Sequence, residues 1–494
     1  MPVRRSSLPV SRGAPTGSHS PASNGDARLD NRLALLDHFF FAAQRATGQD
    51  QVMQVVWVYE HPIDFNALRR FHHNLGYGLL GRRIERSPLP FARHRWVAYR
   101  GAEDIDIAEC ARPRTELSDW ADERSQLSAD PEAGSGWHLG VLPLTDGSTA
   151  VSLVVSHYLL DGLGLADAIS DAVLGNIRDL GLPPPRSRTR LRTAAKDARQ
   201  SVHDLPEVAR ALGAVATLVR RHRRDLVAAA RAARRDRDGL ALSSTSRTVA
   251  IREDDGGDDV VVPGITIYID VDEWDERAKA LGGTSDVLLA GLAAKLAQRI
   301  GRRRAGDGAV TLQLPMSERT EGDTRAIALS FARVSIDPTR VTTDLREIRA
   351  SVNEALGTLR QTPDAAQRVI TPAALGIVWL TQFAPKRAYG RLSDLMIGDP
   401  DLPVLCSNLG DFGTLICRLD GTDAEYVTTR GASNVTRQWL ERAGGQMNLQ
   451  AGRIGAKIGI SVVAYQPGAA NTKPALRQLV ARTVAEFDLT GEIC

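Results

Sequence analysis

Apolar residues recur along this chain with two spacings, and the switches between them outline its elements. "NRLALLDHFFFAAQ" has helical spacing behind a polar start at Asp30 or Asn31. "QVMQVVWVYE" is rich in β-branched and aromatic residues and predicts a strand. "FNALRRFHHNLGYGLLGRRI" returns to helical spacing, and "WVAY" predicts another short strand. "WHLGVLPL" and "STAVSLVVSH" predict two strands joined by a turn at Asp146-Gly147. The second of them delivers His157, and past Gly162 and Gly164 "LADAISDAVLGNI" predicts a helix. His157 therefore falls on a strand-loop-helix junction, where a side chain can project into a cleft.

Pro183 to Pro185 break this pattern. From Arg186 to Arg237 there are 15 Lys and Arg against 5 Asp and Glu, a balance of +10 in a chain whose total is +3, so the remainder carries −7. "VARALGAVATLVRRHRRDLVAAARAARR" within it predicts a long helix. The first reading of 186–242 is a solvated basic linker. The second is an amphipathic helix that rests through 186–237 on an anionic membrane or binds RNA.

A second lobe is expected from 243 to 494, after a first from 29 to 185. "GITIYIDV" predicts a strand and "TSDVLLAGLAAKLAQRIG" a helix. Thr284 or Ser285 can cap that helix, Asp286 suits its first turn, Leu292, Leu296 and Ile300 stripe one face, and Gly301 can end it. "AVTLQLPMSER" predicts a strand running into a polar turn, and "LREIRASVNEAL" a helix. "DLPVLCSNLGDFGTL" and "NLQAGRIGAKIGISVVAYQ" predict further strands, and "ALRQLVARTVAEFDL" a closing helix. Each half thus mixes strands and helices, which is an α/β (α+β) class.

Composition narrows the function. A chain of 494 residues with 43% hydrophobic content can fill two to four ordinary cores or two large fused lobes. The near balance of charge provides no field that selects nucleic acid, and no nucleic acid partner is expected. Cys110, Cys406, Cys417 and Cys494 have neither C-x-x-C spacing nor a disulfide pattern, which fits a reducing cytosol and suggests no metal site. No apolar stretch is long enough to span a bilayer. Residues 1–28, rich in Ser, Pro, Gly and Arg, read as a disordered leader without a signal peptide's apolar core. A cytoplasmic location is expected, with peripheral membrane contact through 186–237 as the variant.

The chemistry centres on "SHYLLDG". Acyl transfer to an alcohol or amine needs a group that takes the acceptor's proton, and a neutral imidazole does this near neutral pH. His157, at the end of an apolar strand, has the support to be aimed. Asp161 can sit behind the loop and fix its shape, and Gly162 and Gly164 let the backbone bend and approach a substrate. The bland reading is a strand end followed by a turn and a helix cap, and the motif alone does not separate the two. His72-His73 lie on a predicted helix and read as surface or core residues.

"SHYLLDG" resembles the H-x-x-x-D-G motif of the acyl-CoA-dependent acyltransferase superfamily built on the chloramphenicol-acetyltransferase fold. That group includes condensation domains, plant-type alcohol acyltransferases, polyketide-associated acyltransferases and wax ester synthase/diacylglycerol acyltransferases. "LALLDHFF", "GGTSDVLLAGLAAKL" and "LPMSER" resemble wax ester synthase motifs, with Asp286 matched and Ser285 in place of the usual Asn. Asp411-Phe412-Gly413 of "CSNLGDFG" resembles the D-F-G of the plant-type and condensation relatives. The matches run from about Leu33 to Tyr465.

The resemblance implies two lobes forming a pseudo-dimer with a tunnel between them. An acyl-CoA or acyl carrier protein thioester would enter from one face and the acceptor from the other. Transfer would be direct, with no metal, bound cofactor or covalent acyl-enzyme. By position, His157 is the base, Asp161 is structural and Arg319 is its partner; the bland reading of Arg319 is a surface turn residue. Asp411 would shape the far side of the tunnel, and Ser407 and Asn408 could donate hydrogen bonds to the acyl oxyanion. Ser156 stands where many relatives carry a first histidine, and the Gly-Asn that often follows P-V-S-x-R is missing. The leading expectation is an O-acyltransferase acting on a lipid or polyketide alcohol. The alternatives are a free-standing amide-forming condensation enzyme and a catalytically silent binding protein.

Overall fold

A computed structural model describes residues 31–47, 50–89, 92–101, 104–187, 189, 191–202, 259–361 and 401–493. Its organising strand is Asp50–Tyr59, whose residues from Val52 onward are all buried. Such a run cannot sit at a sheet edge with one face in water. It pairs antiparallel with Thr149–Ser156 on one side and Tyr426–Thr436 on the other. Trp137–Pro143 and Asp106–Ile107 extend the sheet beyond the first, and Asp259–Val260 beyond the second.

A strand of the C-terminal half therefore lies inside the N-terminal sheet, across the division expected at 243. It is held by more than its ladder. The Trp57 indole donates to the Ile416 carbonyl at 2.7 Å, and the Tyr59 hydroxyl donates to the Cys417 carbonyl at 2.9 Å while accepting from the Leu419 N–H at 3.0 Å. Ile416, Cys417, Leu419 and Val427, with Ala326 and Ile327, are buried in the core beneath this sheet. The two halves interlock instead of merely touching.

The second sheet runs in the order Leu329–Ile336, Val310–Ser317, Val404–Asp411, Gln446–Ile454, Lys457–Tyr465, Gly264–Asp270, Glu492–Ile493. Helix Ser285–Arg299 is its main cover and is buried at ten positions from Val287 to Ala297, so its apolar surface extends well beyond one stripe. Helices Val271–Ala280, Arg346–Gln361 and Lys473–Glu486 flank it. Thr284 occupies its cap position without a side-chain hydrogen bond, while the Ser285 hydroxyl accepts from the Trp274 indole at 2.8 Å. The architecture is the mixed α/β class expected, centred on two sheets.

Two local expectations change. The helix beginning at Phe65 ends at Leu75, and "GYGLLGRRI" becomes a short 3-10 turn at Gly78–Leu80 and a strand at Arg82–Glu85. Gly76 caps the helix, and Gly78, at φ +60, a conformation that suits glycine, opens the turn that follows. The start of the basic segment is docked, not solvated: residues 191–202 are helical, and Asp197 is buried against Arg95 and accepts from the Ser87 hydroxyl at 2.5 Å. The long helix predicted in 208–235 and the leader at 1–28 lie outside the described residues.

Three histidines are packed into the first lobe in neutral form. Burial lowers His38 to about 3 and His94 and His138 to about 4, from an ordinary value of 6.5. Their folded values lie below their unfolded ones, so below pH 6.5 the unfolded chain binds more protons. Stability from this source is complete above about 6.5 and is lost as pH falls toward 4, with a slope of at most about 1.4 kcal/mol per pH unit for each histidine. The urea midpoint is expected to fall between pH 7 and pH 5; an unchanged midpoint would contradict the burial of these rings.

Candidate active site

His157 follows the strand Thr149–Ser156, and its N–H donates to the Gln51 carbonyl at 2.9 Å, one rung beyond the ladder. That bond fixes the backbone from which the imidazole projects. The ring is half-buried and lines two cavities of about 360 Å³ each. Burial holds its pKa below the ordinary 6.5, opposed by its own backbone carbonyl and by the charge of Asp161. The imidazole is therefore neutral at pH 7, the form that accepts a proton. No hydrogen bond joins it to another side chain among the described residues.

Asp161 is fully buried and caps helix Gly162–Leu174, its Oδ1 accepting from the Gly164 N–H at 2.9 Å. Oδ1 also accepts from Arg319 Nε at 3.0 Å, and Oδ2 from Arg319 Nη2 at 2.8 Å and the Ala328 N–H at 2.8 Å. The structure thus brings Asp161 and Arg319 together in a two-pronged buried pair. Both carboxylate oxygens are committed, so Asp161 does not orient the imidazole directly. Arg319 also donates to the carbonyls of Asp323, Arg325 and Ala326. A Cβ on Gly164 would come within 3.1 Å of this guanidinium, so the glycine makes room for Arg319 rather than for a substrate.

Asp37 of "LLDHFF" completes the clamp. It accepts from the N–H groups of Ala326 and Ile327 at 3.0 and 2.9 Å. Arg82 donates to the carbonyls of Leu159 and Thr324 at 2.7 and 2.6 Å and lies 3.9 Å over the Trp96 ring. Burial pulls Arg82 down to about 10 and pushes the Asp37 carboxyl up, against the two N–H donors it accepts. Four charged side chains, two from each sign, hold the His157 loop against the 317–328 loop.

The first His157 cavity opens where the second sheet comes apart. Strands Val310–Ser317 and Val404–Asp411 pair in parallel only at Val404 with Leu312 and Leu405 with Gln313. Beyond that, Pro315 has no N–H for a ladder, and Val404–Asp411, on its other side, shifts register against Gln446–Ile454 between Asn408 and Asp411. Pro315, Ser407 and Leu409 then line the cavity, facing Met53, Leu165 and Ile169. Its wall is mainly apolar. The second cavity shares Gln51, His157, Phe331, Leu405 and Gln450 with the first and has a mixed wall, in which Gln313, Ser433 and Asn448 alternate with Leu402, Val435 and Trp439.

The remaining predicted site residues separate. Ser407 is buried and lines the apolar cavity, and its hydroxyl makes no hydrogen bond among the described residues. Asn408 lines it too, but its amide N–H donates to Asp286 and its carbonyl accepts from the Gly410 N–H at 2.9 Å. Gly162 is also in this wall. Asp411 is exposed, accepts from the Gly413 N–H at 2.8 Å, and lines an adjoining cavity of about 450 Å³ instead. Phe412, its neighbour in D-F-G, lines both cavities.

Gln54 and Arg430 had no part in the sequence reading. Gln54 is fully buried and accepts from Arg430 Nε at 2.6 Å, and Arg430 Nη1 is 2.6 Å from Asp122. A glutamine in the middle of "VMQVVWV" was the available signal, since a polar residue in a buried strand requires a partner.

No family model matches the sequence, and no curated protein matches it in sequence. In three dimensions the chain is similar to the first condensation domain of the CDA synthetase, with a TM-score of 0.51 at 12% identity over 93% of this chain and 97% of that one. It is similar to the wax ester synthase/diacylglycerol acyltransferase from Marinobacter aquaeolei VT8, with a TM-score of 0.51 at 14% identity over 93% and 98%. The fold is thus the two-lobed, chloramphenicol-acetyltransferase-like one shared by condensation domains and wax ester synthases.

Replacing Arg319 by Ala leaves the Asp161 carboxylate buried without its counterion, which is expected to cost about 3–5 kcal/mol. Arg319→Lys keeps a charge but loses the planar fork, so it should fall between the two. Urea unfolding of the three proteins checks this; equal midpoints would show that the clamp does not hold the loops.

Proposed function

We propose that this chain is an acyltransferase that moves an acyl group from a thioester to a hydroxyl or amino acceptor, with His157 as general base. The observation that carries the reading is the neutral, half-buried His157 imidazole shared by two cavities, one mainly apolar and one of mixed lining. The mainly apolar cavity accommodates an apolar acyl or lipid chain, and the mixed one, with Gln313, Ser433 and Asn448 in its wall, offers the acceptor a second approach to the same ring. The acceptor's proton passes to the imidazole as its oxygen or nitrogen attacks the thioester carbonyl. The tetrahedral intermediate then collapses and expels the thiolate, which takes the proton from the His157 imidazolium and restores the neutral base. Ser407, with a hydroxyl free to donate, is the residue best placed in this scheme to stabilise the oxyanion. Asp161, Arg319, Asp37 and Arg82 are positioning residues.

The donor is acyl-CoA or an acyl carrier protein thioester, and no resident cofactor is required. An alcohol acceptor related to lipids or polyketides is the first reading. Amide formation is the second, favoured by one observation. The cavity adjoining the apolar one presents Asp167, Glu321 and Asp411, with Arg178 and an already paired Arg319 as its cations. Such a surface favours a cationic acceptor and repels the phosphates of coenzyme A.

Transfer from acyl-CoA and from acyl-pantetheine to a panel of alcohols and amines, followed as thiol release and product mass, tests the reading. His157→Ala should lower product formation by about 10²- to 10⁴-fold. Equal rates for wild type and variant would leave the protein in the silent binding class. Because burial lowers the His157 pKa, the acid limb of the rate profile should lie below pH 6.5 and be absent from the variant's residual activity. A limb at or above pH 6.5 would contradict a desolvated base.

A further inference from the structure

Three strands of the second sheet alternate strictly along their paired lengths. Val404 and Cys406, Leu449 and Ala451, and Ile460 and Val462 enter the core on one face. The residues between them project to the other face, toward the first sheet. Ser407, Gln450 and Ser461 form one row across that face, because Gln450 pairs with Ser407 on one side and with Ser461 on the other. Polar side chains set between two sheets require partners. Ser461 has one, the Thr429 carbonyl at 2.6 Å, and so ties the sheets together. The side chains of Ser407 and Gln450 make no hydrogen bond among the described residues, and both residues line the mainly apolar His157 cavity.

Gln450 also lines the mixed cavity, so it stands with His157 where the two meet. It is half-buried, which leaves its amide open to a ligand. The amide nitrogen lies over Gly431, where an added Cβ would come within 3.6 Å of it. Gly431 pairs with Met53, two residues along the same strand face from Gln51, whose carbonyl accepts the His157 N–H. The strands Thr149–Ser156 and Tyr426–Thr436 flank Asp50–Tyr59. They are two strand spacings apart, about 10 Å, a gap that a thioester group and two facing side chains fill. Gln51 is the other carboxamide common to both cavities. It is exposed and approaches from the sheet of the base, whereas Gln450 approaches from the opposite sheet.

We propose that Gln450 is a further catalytic residue, whose side-chain N–H donates to the thioester carbonyl oxygen as that oxygen takes up negative charge. The assignment rests on the acyltransferase reading of His157. The acceptor's lone pair forms the new bond to the carbonyl carbon, the C=O pair moves to oxygen, and the acceptor's proton goes to the imidazole. On collapse the pair returns, the C–S bond breaks, and the thiolate recovers the proton. Gln450 gives up no proton at any step. With the hydroxyl of Ser407, its ladder neighbour, it supplies two donors to one oxyanion. A neutral donor suits this place, because a cation so near the base would make the imidazole a weaker proton acceptor.

The probe is octanoyl-pantetheine carrying carbon-13 at the thioester carbonyl, bound to the full chain with His157→Ala so that it is not turned over. Its carbonyl stretch, followed by infrared difference spectroscopy, should lie lower than in the double variant with Gln450→Leu, and Gln51→Leu in place of Gln450→Leu should keep it low. In the chain that retains His157, Gln450→Leu should reduce kcat about 10²- to 10³-fold and leave the acid limb of the rate profile where it was. Gln450→Glu keeps the side-chain shape without the donor and should be impaired at neutral pH to at least the same degree. Urea midpoints check that each variant folds. A His157-dependent rate that both Gln450 variants leave unchanged refutes the role of Gln450 alone, as does a carbonyl band that moves with Gln51→Leu and not with Gln450→Leu. Equal rates for wild type and His157→Ala refute the base and this donor together.

Discussion

The pair Asp161–Arg319 joins the two parts of the molecule that must meet for the site to exist. One residue follows the strand that carries His157, and the other follows a strand of the second sheet. Both are almost wholly withdrawn from solvent, at 0% and 5% side-chain exposure. Charges so placed are tolerated only with complete pairing, and here each lone pair and N–H of the contact is used. A displaced loop would strand a carboxylate or a guanidinium in a low-dielectric interior. Asp37 of the first helix and Arg82 of the Arg82–Glu85 strand act on the same loops through the backbone groups they bind.

The site is a consequence of what this clamp and the exchanged strand leave unfilled. Tyr426–Thr436 completes the first sheet and also stands beside the second, where the Ser461 hydroxyl donates to the Thr429 carbonyl at 2.6 Å. The sheets are thereby held close, but strands Val310–Ser317 and Val404–Asp411 separate after two paired positions. Side chains of the diverging strands cannot close the gap, and His157 stands at it. The cavity is thus produced where pairing stops after Leu405 and Gln313, near Pro315, and not by truncated side chains.

Different parts of the site were visible in the sequence to different degrees. His157, Asp161 and Arg319 could be singled out because their local patterns are unusual: a histidine ending an apolar strand, an Asp-Gly opening a helix, an arginine in the turn after "LPMSE". Arg82 was hidden because "GLLGRRI" has helical spacing, and only the positive φ of Gly78 and the pairing with Arg95–Ala98 show it to be a strand. Asn408 looked like a free amide, but Asp286, 122 residues earlier in the chain, occupies it. Asp411 shared a motif with Phe412, yet the aspartate lines only the adjoining cavity, whereas the phenylalanine, past the strand's end, also reaches the His157 cavity.

From residue types and spacing alone came the alternation of strands and helices, the α/β class, and a histidine presented at a strand end. These follow from local forces: side-chain periodicity, turn residues and helix starts act within a few positions of one another. The tertiary structure decided which strand completes which sheet, and that the carboxylate serves the loop and not the imidazole. Those outcomes depend on contacts between residues hundreds of positions apart, such as Gln54 with Arg430, and on the cost of leaving charge unpaired where water cannot reach. No periodicity encodes such contacts, because they are selected by the packed chain as a whole.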